Sequence, residues 1–154
     1  LSVHTIGRDD MVVVGPPGSG LTARGEVDLE WVIRQRLVLP SNSHGLRVLV
    51  DKALARQGLS LNLVIEADSY RVQTSLVAEG LGFSILPPSA LRDDVLAGRL
   101  ESATIANPGV TREVILASPL DRPPSIAMAK VSALIVEEIG RLAAEGLWSI
   151  RLEA

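Results

Sequence analysis

A chain of 154 residues and 16.4 kDa has room for one ordinary domain or two small lobes and excludes a large multidomain enzyme. With 47% hydrophobic and 21% charged residues it folds around a core, which two Trp, one Tyr and one Phe leave to Leu, Val, Ile and Ala. Fifteen basic against eighteen acidic residues give no attraction for phosphate backbones or anionic lipid, and zero cysteines exclude disulfides and thiolate nucleophiles. His4 and His44 lie too far apart for a two-histidine metal motif, so no metal site is expected. The chain starts at Leu1 and is read as part of a longer one.

In chain order, Leu1 to Ile6 and Met11 to Val14 read as strands joined by a tight turn at Gly7-Arg8-Asp9-Asp10. Residues 15–25 form a loop rich in glycine and proline, after which Asp28 caps a short helix with Leu29, Val32 and Ile33 inward. Residues 36–40 return as an apolar strand. From Gly45 to Gln57, Leu46, Leu49, Val50, Ala53 and Leu54 recur at helical spacing, with Ser41 or Ser43 offered as the cap. Residues 61–67 read as a strand, 70–79 as a helix with Val72, Leu76 and Val77 on its inner face, and 83–86 as a strand stopped by Pro87-Pro88. This alternation favours a parallel sheet covered by helices, whose ligands sit beyond the carboxyl ends of the strands.

Beyond this, 91–97 reads as a short helix, and 100–105 and 112–118 as strands separated by a turn at Asn107-Pro108-Gly109. Ser125 caps a long helix to about Ala144 with Val131, Leu134, Ile135, Ile139 and Leu142 in one stripe, and 148–152 adds an edge strand.

Two motifs imitate chemistry. Gly15-Pro16-Pro17-Gly18-Ser19-Gly20-Leu21-Thr22 fits the phosphate-loop pattern except that Leu21 replaces the lysine that reaches the β- and γ-phosphates. Gly18-Ser19-Gly20 is not a nucleophile elbow, because Pro17 stands where that motif needs glycine. His44 precedes a helix, where positive charge is disfavoured, and reads as a neutral hydrogen-bonding group rather than a catalytic base. His4 reads as an exposed or core-edge residue. No catalytic residue and no cofactor is expected.

The informative feature is a pair of strand-to-helix turns, Pro40-Ser41-Asn42-Ser43-His44-Gly45 and Glu66-Ala67-Asp68-Ser69-Tyr70. In a parallel sheet both open on one edge, where backbone N–H groups, helix dipoles and hydroxyls converge on a seat for a small carboxylate or other anion. The expected effector contacts are therefore Ser41, Asn42, Ser43, His44, Asp68, Ser69 and Tyr70; the plainer reading of Ser41, Ser43, Asp68 and Ser69 is as helix caps.

The runs Leu37-Val38-Leu39-Pro40-Ser41, His44-Gly45-Leu46-Arg47, Val64-Ile65-Glu66-Ala67-Asp68-Ser69 and, above all, Leu76-Val77-Ala78-Glu79-Gly80-Leu81-Gly82-Phe83-Ser84-Ile85-Leu86-Pro87 resemble the effector-binding domain of LysR-type transcriptional regulators. Pro40 to Arg47 is similar to the nitrogen assimilation control subgroup. In the last run Gly80 ends a helix and Gly82 lets the next strand leave closely.

The resemblance implies a type 2 periplasmic-binding-protein-like α/β fold with one complete lobe and part of a second. Residues 1–36 would be a remnant of the first lobe and a crossover, 37–118 the second lobe, and 119–154 the return crossover and a helix packed on the first lobe. The family's opening βα segment and basic winged helix-turn-helix have no counterpart here. The resemblance further implies a cytoplasmic module of a bacterial regulator that performs no reaction, binds a small anionic metabolite and reaches DNA only through another domain. It would form homo-oligomers through the helix Leu46 to Gln57 and the strand Leu61 to Ala67. The alternatives are a periplasmic solute-binding protein, which shares the architecture, and a small α/β nucleotide-binding enzyme using residues 15–22.

Overall fold

The computed structural model describes residues 1–106, 109–121 and 125–153. They form two compact units, Asp10–Thr111 and Leu1–Asp9 with Arg112–Ala154, so the chain crosses between units after Asp9 and again before Arg112. The boundaries expected at 36/37 and 118/119 are not where the structure divides. The reason lies in Val12, Val13 and Val14, which are buried and pair with neighbours on both sides, placing the strand expected in the first lobe at the centre of the larger unit's sheet.

In the larger unit, β2 (Val12–Gly15) runs antiparallel to β6 (Ser84–Leu86) on one side and β7 (Glu101–Ala106) on the other, and β7 pairs in parallel with β3 (Glu26–Asp28). A parallel pair, β4 (Leu37–Leu39) and β5 (Leu63–Glu66), extends this sheet. The Val38 N–H donates to the Phe83 carbonyl and the Phe83 N–H to the Arg36 carbonyl, each at 2.8 Å, so β4 lies against the chain entering β6. This close passage needs Gly82, where a Cβ would stand 2.7 Å from the Arg36 carbonyl oxygen. Gly80, at φ +75°, ends the preceding helix as expected.

The helices of the larger unit follow the apolar spacing with two departures. α3 (Gly45–Ala55) buries Leu46, Val50, Ala53 and Leu54, and α2 (Leu29–Ile33) buries Leu29, Val32 and Ile33, each of the Leu, Val and Ile side chains contributing about 1.5–3 kcal/mol relative to exposure. α4 (Tyr70–Ala78) instead buries Gln73, Thr74 and Val77 and leaves Val72 47% exposed. The expected inner face was turned, because the buried Gln73 shares a face with Val77. The region expected as loop holds α1 (Leu21–Arg24), anchored by a fully buried Leu21, and then β3. A 3₁₀ turn (Pro88–Ala90) precedes α5 (Arg92–Leu96).

The smaller unit has a three-stranded sheet in the order β8-β1-β9, with β1 Ser2–Asp10, β8 Thr111–Ser118 and β9 Ile150–Leu152. The turn expected at residues 7–10 is continuous strand: Gly7 pairs with Leu152, and a side chain there would overlap the Arg151 carbonyl. β7 and β8 belong to different sheets, so the two do not form a hairpin; Asn107 and Pro108 of the expected turn lie outside the described residues. α6 (Ile126–Ala144) is capped by Ser125, whose hydroxyl accepts the Met128 N–H at 3.1 Å. Of its expected inner stripe only Ile139 is buried, packed with Ile6 and Ile150, while Leu134 is 62% exposed. His4 is exposed.

Candidate functional site

Both strand-to-helix turns leave the parallel pair β4-β5 at its carboxyl edge, and there they meet. The Ser41 N–H and the Ser41 hydroxyl both donate to Asp68 Oδ1 at 2.8 Å. The backbone donor first, and the hydroxyl second, hold the Asp68 carboxyl below its ordinary range by stabilising the charged form. The amide expected to greet an incoming anion is thus occupied by a carboxylate of the protein itself. Asp68 leaves its second oxygen at an exposed position, and Ser43 stands within 3.3 Å of the Ser41 hydroxyl.

His44, rather than Ser41 or Ser43, caps α3: its Nδ1 accepts the Leu46 N–H at 3.2 Å. A nitrogen that accepts carries no proton, so the ring's N–H is on Nε2, where it remains available as a donor. The ring lies 5.9 Å from that of Tyr70 at 61°, an edge-type contact linking the two turns again. Ser69 caps α4 by accepting the Val72 N–H at 3.5 Å, and helix geometry leaves the first amides of α4 without intrahelical acceptors. Asn42 is exposed beside Ser43. The seven expected residues therefore share one edge, four of them, Ser41, His44, Asp68 and Ser69, committed partly to capping or to the Ser41–Asp68 bond.

Two residues that build this edge escaped the sequence reading. Arg47, half-buried on α3, donates to the Pro40 carbonyl at 3.3 Å while bonding Asp51 at 3.0 Å, which ties the first turn to its helix. Gln73, fully buried on α4, donates to the Ala67 carbonyl at 2.7 Å. Its signal was present: a polar residue four positions before Val77 occupies the core face. From Tyr70 a groove of about 760 Å³ continues along α4 past Arg71 and Glu79, faced by Asp93 and Arg99.

The second glycine-rich motif lies elsewhere. Glu101 on β7 accepts the Gly18 N–H at 2.8 Å and the Thr22 N–H and Ser19 hydroxyl at 3.3 Å. The position that a nucleotide's phosphates would need is filled by a side chain, and Leu21, standing in place of the lysine, is core. Among the described residues no group of three or more His, Asp or Glu could hold a metal ion, and no helix is long and apolar enough to cross a membrane.

Residues 1–140 match the family model described as LysR substrate binding domain. The chain is 25% identical over 138 residues to the HTH-type transcriptional regulator BbuR of Bordetella bronchiseptica, covering 90% of this chain and 42% of that protein. It is 30% identical over 95 residues to the nitrogen assimilation regulatory protein nac of Escherichia coli, covering 60% of this chain and 29% of that protein. The effector binding domain of QuiR in complex with shikimate superposes with a TM-score of 0.75 at 20% identity, over 89% of this chain and 64% of that one. The chain thus spans less than half the length of these curated relatives.

Proposed function

The chain belongs to the LysR substrate-binding domain family and has its type 2 periplasmic-binding-protein-like α/β fold, and from this we propose that it is the effector-sensing part of a cytoplasmic LysR-type transcriptional regulator. It performs no reaction of its own; a ligand acts by preferring one conformation of the domain over another, and a DNA-binding part beyond these residues reads the result. Oligomers form through the surface of α3 and β5. The chain's net charge of −3 supports the view that it does not hold DNA itself.

The observation that carries this reading is the meeting of the 41–44 and 68–70 turns on one sheet edge, through the Ser41–Asp68 bond. The effector is a small polar metabolite held by Ser41, Asn42, Ser43, His44, Asp68, Ser69 and Tyr70. It presents an anionic acceptor group to the His44 Nε2–H and the first amides of α4, and a hydroxyl or amine to Asp68. A bare inorganic anion lacks the second element and meets a resident negative charge, so it binds poorly.

A thermal-shift series tests this, with shikimate as the first probe because it is bound in the related QuiR structure, followed by hydroxy acids, amino acids and inorganic phosphate. A compound of the hydroxy- or amino-acid class raises the melting temperature, and the Ser41→Ala/Ser69→Ala double variant loses that protection. Equal protection of wild type and double variant would remove this edge from the binding site.

A further inference from the structure

We propose that Gln73, backed by Ser84, is the positioning residue of this edge: its amide fixes the peptide that precedes Asp68 and so sets where Asp68 meets Ser41. The inference rests on reading the 41–44/68–70 edge as the effector site.

A buried primary amide is costly unless both its ends are satisfied, and a helix position sharing a face with Val77 would ordinarily hold an aliphatic residue. Gln73 is fully buried, and both ends are used. Nε2 donates to the Ala67 carbonyl at 2.7 Å, and Oε1 accepts the Ser84 hydroxyl at 2.8 Å. The Ala67 oxygen can only accept, which fixes the orientation of the amide. Ser84 is itself fully buried on β6, paired with Val14 of β2.

The peptide held in this way is pinned from the other side too, because the Ala67 N–H donates to the Leu39 carbonyl at 3.0 Å. The next residue is Asp68, whose carboxylate gathers both donors of Ser41. A continuous path of bonds thus runs from Ser84 in the sheet through Gln73, Ala67 and Asp68 to Ser41. Only a carboxamide fits the middle of it: leucine or methionine would strand the Ala67 oxygen and the Ser84 hydroxyl, and an ionised glutamate would have no proton for Ala67.

The test needs no ligand. In the isotope-labelled 154-residue chain, carboxyl NMR signals report the titration of Asp68, with Glu101, on β7 and bonded to the loop of residues 18–22, as an internal control. In Gln73→Met the Asp68 midpoint rises toward the ordinary carboxylate value, while that of Glu101 stays in place. Ser84→Ala, which keeps the amide but frees its far end, moves Asp68 less and in the same direction. An unmoved Asp68 in folded Gln73→Met, or Asp68 and Glu101 rising together as in a general loosening, overturns the assignment. Should Gln73→Met fail to fold, Ser84→Ala decides alone, and a stationary Asp68 midpoint rejects the proposal. A failed effector screen would count against the proposed function while leaving this result intact.

Discussion

The carboxylate of Glu101 accepts the backbone N–H of Gly18 at 2.8 Å, across a sequence distance that local reading cannot bridge. The glycine-rich loop is therefore an anion cradle closed by its own chain. Millimolar ATP, with or without magnesium, gives neither saturable binding in calorimetry nor a rise in melting temperature. Leu21→Lys restores the sequence motif without creating binding, and it destabilises the fold by placing a charge in a fully buried position.

The same bond makes a pH prediction. Hydrogen bonds from Gly18 first, and from Thr22 and Ser19, hold the Glu101 carboxyl below its ordinary value of 4.5. A carboxyl lowered in the folded state contributes stability that is complete above its unfolded value and lost as pH falls through its folded one. Melting temperature measured from about pH 6 to pH 3 therefore falls on the acid side, and Glu101→Gln makes that fall shallower while lowering the plateau near neutrality. Asp68, lowered chiefly by the Ser41 N–H, adds a similar step below its ordinary 3.8.

Asp9 is a buried carboxylate in the smaller unit. Its Oδ2 receives Arg112 Nη2 at 2.7 Å and Trp148 Nε1 at 3.3 Å, whereas Oδ1 has no partner among the described residues. Asp9→Ala strands the Arg112 guanidinium and costs about 3 kcal/mol in urea unfolding. Asp9→Asn keeps an acceptor for both donors and costs less. Tryptophan emission in a Trp31→Phe background changes in Asp9→Ala, because Trp148 Nε1 loses the acceptor and the negative charge beside it.

Two glycines of the Gly80-Leu81-Gly82 run differ in what they permit. At Gly80 the demand is a positive φ with open space around the Cβ position, so Gly80→Ala costs about 1 kcal/mol. At Gly82 a methyl would stand 2.7 Å from the Arg36 carbonyl oxygen in a paired backbone that cannot withdraw, so Gly82→Ala costs more, roughly 2–3 kcal/mol. Urea midpoints at equal slope read the difference, and the reverse order would show that β4 and the chain entering β6 can separate.

Local spacing determined a good deal of this protein. The apolar repeat from Leu46 to Leu54 specified α3 and its buried face, the hydroxyl of Ser125 specified the start of α6, and Gly80 and Gly82 specified a helix end and a close strand departure. The two turns at 40–45 and 66–70 were legible as neighbours because parallel strands place their exits on one edge. Periodicity could not say which sheet a strand joins: β2, short and apolar throughout, fits the middle of either unit, and pairing with β6 and β7 decided it. Nor could it tell a free amide from an occupied one. Whether Ser41 and Gly18 keep open N–H groups depends on Asp68 and Glu101, residues 27 and 83 positions away, which only the folded chain brings within 2.8 Å. A hydrogen bond is decided by where both partners end up in space, and a sequence written in one dimension carries only the partners close along the chain.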